Sequence, residues 1–194
     1  MEPSSTTIAS QSVKYLGKFL MISSNTTGNP SSSLNAGITI DRLTGNMKVL
    51  YAKERAIALY AGNLWESFLS KFKFWEEPYE VVNAMLPSRG IITELGCGEG
   101  LLANYLALAS PKRKIVGIEI VPQRLAIAKK GLKNTTYYVG DIVNVPFPKS
   151  NAIIVFHVLH LLPGKHAQEL VLQKAKNSLK IGGGLIIVDV HVKP

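Results

Sequence analysis

The stretch Thr93-Glu94-Leu95-Gly96-Cys97-Gly98-Glu99-Gly100 puts an acid and three alternating glycines directly after a short apolar run. Glycines at this spacing turn the chain tightly and let its backbone approach a ligand closely, as a nucleotide-like ligand requires. A dinucleotide loop does not fit, because the third glycine of G-x-G-x-x-G would fall on Leu101. A P-loop is excluded because no Gly-Lys-Ser/Thr follows. Glu94 would repel a pyrophosphate and suits a ligand that carries positive charge.

Other residues with chemistry in them follow at intervals. Glu119 comes 25 positions after Glu94, at the end of an apolar run, where an acid can accept bonds from both ribose hydroxyls. Asp141, followed by apolar Ile142, comes after the next such run. His157 and His160 in Phe156-His157-Val158-Leu159-His160 are candidate bases for a hydroxyl, carbon or amine nucleophile; the alternative is that both pack or cap. His191 is a third candidate of this kind, and Asp189 reads equally as structural or functional. Cys97 is the sole cysteine and reads as a small loop filler rather than a nucleophile. It leaves no means for an intrachain disulfide or a multi-cysteine zinc site, no metal centre is expected, and a reducing, cytoplasmic location is.

These residues need a scaffold, and the chain alternates regularly enough to predict one. Strand-like runs are expected at 90–95, 114–120, 136–139, 152–156 and 185–190, with helices at 101–109, 122–132 and 165–180 between several of them. Pro122 suits a first helical turn, and Gly182-Gly183-Gly184 is expected to end the last helix. Strand–helix alternation predicts a doubly wound, mostly parallel α/β sheet with helices on both faces, and such sheets bind ligands at the carboxyl ends of their strands. Upstream, Ile57, Tyr60, Leu64, Phe68 and Phe72 recur at helical spacing from about Ala52, as core packing or as a lid. A short helix is expected at 78–86.

The segment from Glu94 to Gly100 resembles the E/D-x-G-x-G-x-G first motif of class I S-adenosylmethionine-dependent methyltransferases, which have a Rossmann-like fold. The resemblance extends over about 78–190. It implies that Glu94, Gly96, Cys97, Gly98 and Gly100 hold a cofactor whose sulfonium and ammonium a carboxylate favours. It further implies that Glu119, with Ile120 beside it, binds the ribose, that Asp141 takes the adenine amino group, and that Ile142 packs on the ring. The backbone after the fourth strand, from Phe156, would lie beside the methionine part and the methyl group. Leu179-Lys180-Ile181-Gly182-Gly183 resembles the usual L-x-x-G-G entry to the fifth strand.

The same resemblance narrows the acceptor. Enzymes that methylate exocyclic amines of bases carry an Asn/Asp-Pro-Pro-aromatic tetrad where this chain has Phe156-His157-Val158-Leu159. A lone cysteine does not suit a two-cysteine pyrimidine mechanism. A small-molecule or lipid-like acceptor is therefore expected. The alternatives are an RNA methyltransferase, motivated by charge alone, and a non-catalytic cofactor-binding module. The net charge of +9 is spread over scattered lysines and arginines, mostly on the outer faces of expected helices, so a nucleic-acid partner is disfavoured while contact with a membrane surface stays open.

Three regions are expected: 1–42 as a flexible extension or linker, 43–88 as a helical segment, and 89–194 as the methyltransferase domain. Within the first, Val13-Lys14-Tyr15-Leu16-Gly17-Lys18-Phe19-Leu20-Met21-Ile22 is expected to be a short helix on the domain or on a membrane surface. The family's sheet continues past strand five with an antiparallel pair to give seven strands, but here Pro194 follows strand five almost at once. The sheet is thus expected to end there, leaving an apolar edge for a partner, a second copy or the N-terminal segment to cover.

Overall fold

The structure, a computed structural model, describes residues 12–16, 19–23, 40–62 and 77–189, with side chains from residue 47 onward. The 64–76 part of the expected aromatic helix and His191 lie outside the described residues. In chain order the elements begin with β1 (Ser12–Leu16), β2 (Phe19–Ser23), α1 (Ile40–Leu59), α2 (Tyr79–Met85) and β3 (Gly90–Leu95). They continue with α3 (Leu101–Ala109), β4 (Arg113–Glu119), α4 (Pro122–Ala128), β5 (Thr135–Val139) and β6 (Ser150–Phe156). A 3₁₀ turn (Leu159–Leu161), α5 (Gly164–Ser178) and β7 (Leu179–Val188) complete the order. None of the described helices is long and apolar enough to cross a membrane.

One seven-stranded sheet has the order β1-β2-β7-β6-β3-β4-β5. β3 to β7 run parallel, as their near-continuous apolar sequences predict for strands covered on both faces. Alternation along each strand sends Ile92, Ile115, Ile154 and Ile186 to the face covered by α1, α2 and α3. Leu95, Ile118, Ile153, Val155 and Ile187 face the other way, against Val171 and Ala175 of α5.

Three expectations need correction. The 13–22 segment is not a helix but a β-hairpin: β1 pairs with β2 from Ser12↔Ser23 to Leu16↔Phe19, and β2 pairs antiparallel with β7 from Phe19↔Val188 to Ser23↔Gly184. Hydrogen bonding to a strand some 160 residues away overrides the local pattern. The sheet accordingly does not end at its fifth parallel strand. β2 covers that edge, and β1 continues the sheet beyond it. Lastly, α5 stops at Ser178, and the three glycines lie inside β7, whose pairing with β6 shifts register between Ser150 and Ala152. Glycine tolerates such an irregularity, with Gly182 at φ 76°.

Smaller differences concern boundaries. α1 begins at Ile40, twelve residues before the expected start at Ala52, and α4 ends at Ala128 rather than near Leu132.

Candidate functional site

The loops after β3, β4, β5 and β6 meet at the carboxyl ends of these strands around a cleft of about 620 Å³. Its wall includes Gly96, Glu119, Ile120, Asp141, Ile142 and His157, so three separate loops bring together the expected glycine, acids and apolar partners. The rest of the expected set is not part of that wall. Glu94, Cys97, Gly98, Gly100, Phe156 and His160 do not line the cleft.

The glycine loop explains its own composition. Gly96 has φ 71°, and a Cβ there would lie 2.5 Å from Val158 Cγ2, so both conformation and space demand glycine. Gly98, at φ 54°, is different: a Cβ there would meet nothing within 4 Å, which leaves open space on that side of the loop. Cys97 is the filler its position suggested, buried over Gly117 and packed with Leu125, Ala128 and Tyr137. Burial, aided by the charges of Glu94 and Glu119, raises its thiol far above the ordinary value, so no thiolate forms there.

Glu119 binds the loops together. Its Oε2 accepts the Gly98 N–H at 2.9 Å and its Oε1 the Val121 N–H at 3.0 Å. Each carboxylate oxygen keeps a further lone pair for a ligand. Asp141 is held in the same way: its Oδ1 accepts from Val143 N at 2.9 Å and its Oδ2 from Asn144 Nδ2 at 2.6 Å.

Glu94 is the site's buried carboxyl. It projects beneath the loop toward α3, is 4% exposed, and its Oε2 has no hydrogen-bond partner. Burial pushes its carboxyl up to about 8; the Ala103 backbone hydrogen bond opposes that shift, and the charge of Glu119 adds to it.

Residues that sequence reasoning did not single out hold the loop from behind. Tyr137 Oη donates to Asn104 Oδ1 (2.8 Å), Asn104 Nδ2 donates to Tyr60 Oη (2.7 Å) and to the Ala128 carbonyl (2.9 Å), and Tyr60 Oη donates to the Glu99 carbonyl (2.7 Å). This chain joins β5, α3, α4 and the end of α1 to the glycine loop. Burial raises both phenols well above their ordinary value, so they remain donors across the working pH range. Asn104 was findable, as the one amide in the apolar helix Leu101-Leu102-Ala103-Asn104-Tyr105-Leu106-Ala107.

The two histidines each face a carboxylate. His157, at φ 53°, ends β6 in a conformation uncommon for a side-chain-bearing residue. Its N–H donates to the Val188 carbonyl at 2.7 Å, its Nε2 lies 3.1 Å from Glu77 Oε2, and its Nδ1 is buried without a partner. Phe156 packs edge-to-face with its ring and, tilted, against Tyr79. His160 Nδ1 lies 2.5 Å from Asp189 Oδ1.

Comparison with known proteins agrees with this geometry. Residues 92–183 match the family described as a methyltransferase domain. A demethylmenaquinone methyltransferase from Thermotoga maritima is 28% identical over 126 residues, 64% of this chain and 53% of that protein. Phycocyanin operon protein W from Pseudanabaena tenuis, itself uncharacterized, is 36% identical over 58 residues, 29% of this chain and 55% of that protein. The chain thus spans about half the length of the curated relatives it matches. Among solved structures, a complex of DhpI with S-adenosylhomocysteine superposes with a TM-score of 0.55 at 20% identity, covering 76% of this chain and 70% of that one. Streptomyces venezuelae DesVI gives 0.55 at 18% identity, covering 63% and 54%. At such identities these structures speak for the fold. The family match starts inside β3 and ends inside β7, and so takes in every loop that lines the cleft: this core is similar to methyltransferase domains and shares the fold of the solved methyltransferase structures.

Proposed function

We propose that the cleft binds S-adenosylmethionine and that the protein transfers its methyl group to a small-molecule acceptor. The observation that carries this reading is the convergence of Gly96, Glu119, Asp141 and Ile142 on one cleft from three loops. The residues present fit the cofactor. Glu94 Oε2 is a buried acceptor without a partner, suited to a cationic ligand, and Gly98 leaves its side of the loop clear. When bound, the cofactor supplies an electrophilic methyl on a positively charged sulfur.

The chain's own part is binding and orientation. Glu119 accepts from the ribose hydroxyls with the lone pairs that Gly98 and Val121 leave unused. Asp141 would accept from the adenine amino group, and Ile142, which lines the same cleft, would pack on the ring. Apolar Val158, Leu161 and Leu162 line the His157 end, where an apolar acceptor would enter. Alignment of two reactants in such a cleft accounts for roughly 7–11 kcal/mol of barrier lowering, so no universal catalytic side chain is required. His157 lines this end and His160 lies in the adjoining turn, and both would serve there as contact or proton-transfer residues.

A small-molecule acceptor draws support from the demethylmenaquinone methyltransferase relative. The apolar wall extends this to lipid-like acceptors, and the sole cysteine supports a cytoplasmic setting. Calorimetric titration with S-adenosylhomocysteine tests the reading: micromolar or tighter binding is expected, and folded protein that shows none overturns it.

A further inference from the structure

The two histidine–carboxylate pairs at the acceptor end are not equivalent. In His157 the Nε2 is engaged by Glu77, and the Nδ1 is buried without a partner, so no ring nitrogen is both free and accessible. In His160 a single carboxylate holds both ring and main chain: Asp189 Oδ1 faces Nδ1 at 2.5 Å, and Oδ2 accepts the His160 N–H at 3.2 Å. A carboxylate only accepts, so Nδ1 must carry a hydrogen, and in the neutral ring Nε2 is then a bare lone pair. The side chain is 31% exposed, and among the described residues its Nε2 has no partner. A base needs a fixed tautomer, an oriented ring and an accessible nitrogen.

The location suits that role. His160 sits in the 3₁₀ turn between Val158 and Leu161, both of which line the cleft. Leu162 and Pro163 extend the apolar wall, so an acceptor lying there has an apolar body. A thioether or a free amine offers its lone pair without first losing a proton. A fixed imidazole is useful to an acceptor whose nucleophilic atom still carries one.

We propose that His160 is a general base for an apolar hydroxyl acceptor, a phenol or enol, and that Asp189 is its positioning residue. This rests on the methyl-transfer reading above. The acceptor O–H bond breaks and its proton passes to His160 Nε2; the oxygen pair bonds the donor's methyl carbon, and the carbon–sulfur pair stays on sulfur. The proton then leaves the imidazolium for water.

Two measurements test it. Imidazole ¹⁵N NMR of the cofactor-free protein reads the tautomer directly: neutral His160 is expected with its hydrogen on Nδ1, and Asp189→Asn is expected to lose that preference. An Nε2–H tautomer in the unaltered protein overturns the proposal. Separately, transfer of labelled methyl from S-adenosylmethionine is followed with panels of apolar phenols, amines and thiols, alongside S-adenosylhomocysteine calorimetry. Phenol turnover is expected, with kcat/KM falling about 10²–10⁴-fold in His160→Gln while S-adenosylhomocysteine affinity holds within about twofold. Added imidazole is expected to restore part of the rate in His160→Gly. An unchanged rate in His160→Gln, or turnover confined to amines or thiols, overturns the base. Retained S-adenosylhomocysteine binding with no phenol turnover does so too and leaves the cofactor reading standing. Absent S-adenosylhomocysteine binding overturns the reading beneath it.

Discussion

Glu119 accepts the backbone N–H of Gly98 at 2.9 Å, so the acid at the end of β4 fixes the shape of the loop at the end of β3. One side chain thus orders the glycine loop and offers lone pairs to a ligand, and its removal acts on both.

Glu119→Ala is expected to weaken S-adenosylhomocysteine binding by about 10- to 100-fold, from lost hydrogen bonds to a charged group of about 1.5–3 kcal/mol. Glu119→Gln, which keeps an acceptor but can face only one amide with it, is expected to lie between. Calorimetry on both variants checks the order, and equal affinities for Glu119→Ala and the unaltered protein would remove its ribose role.

Glu94 makes stability depend on pH with a definite sign. Its folded value of about 8 stands above the ordinary 4.5, so the folded state holds a proton that the unfolded state has released. The associated stability is present below about 4.5 and declines as pH rises toward 8, at no more than about 1.4 kcal/mol per unit. Glu94→Gln is expected to flatten this decline. Urea denaturation at a series of pH values measures it, and identical slopes in the two proteins would contradict the assignment.

Ligand binding should show the same proton. A cationic group beside Glu94 favours the carboxylate, so S-adenosylhomocysteine affinity is expected to rise with pH up to about 8 and to level off above it. In Glu94→Gln the affinity should be lower and nearly flat across that range. Calorimetry in buffers of differing ionisation enthalpy reads the released proton.

Tyr60→Phe removes the donor to the Glu99 carbonyl and the acceptor for Asn104 Nδ2. A loss of about 1–3 kcal/mol in folding stability is expected from the buried groups left unpaired, together with weaker cofactor binding. Denaturant titration gives the first and calorimetry the second.

Gly96→Ala combines a left-handed backbone with the 2.5 Å approach to Val158. It is expected to destabilise the fold and to block the cleft. Adding Val158→Ala should recover the part due to crowding and leave the part due to φ. A thermal-shift comparison of the single and double variants separates the two.

Much of this site was legible because its parts are local. The acid–glycine loop, Glu119 and Asp141 each lie within a few residues of a strand end, and apolar runs mark those strands plainly. What escaped was non-local. Nothing near Glu77 signals His157, 80 residues on, and nothing near His160 signals Asp189 as its partner. The hairpin was hidden for the same reason: Lys14 and Lys18 break the apolar pattern, and the strand that selects β structure there is β7. The glycine triplet misled because glycines after a helix usually stop it, whereas here they ease an irregular strand pairing.

The pairing of β2 with β7 also sets an order of events in the cell. Phe19 and Val188 are neighbours in the sheet but are separated by 169 positions along the chain (188 − 19). At ribosomal speeds of about 5–20 residues per second, roughly ten to thirty seconds pass between the synthesis of the two. Throughout that interval β2 has β1 on one edge but no mate on the other, and β3 to β6 can assemble without it. The last step of folding is therefore the capture of an early strand by a late one, and during the wait the nascent chain is most exposed to pairing with a stranger.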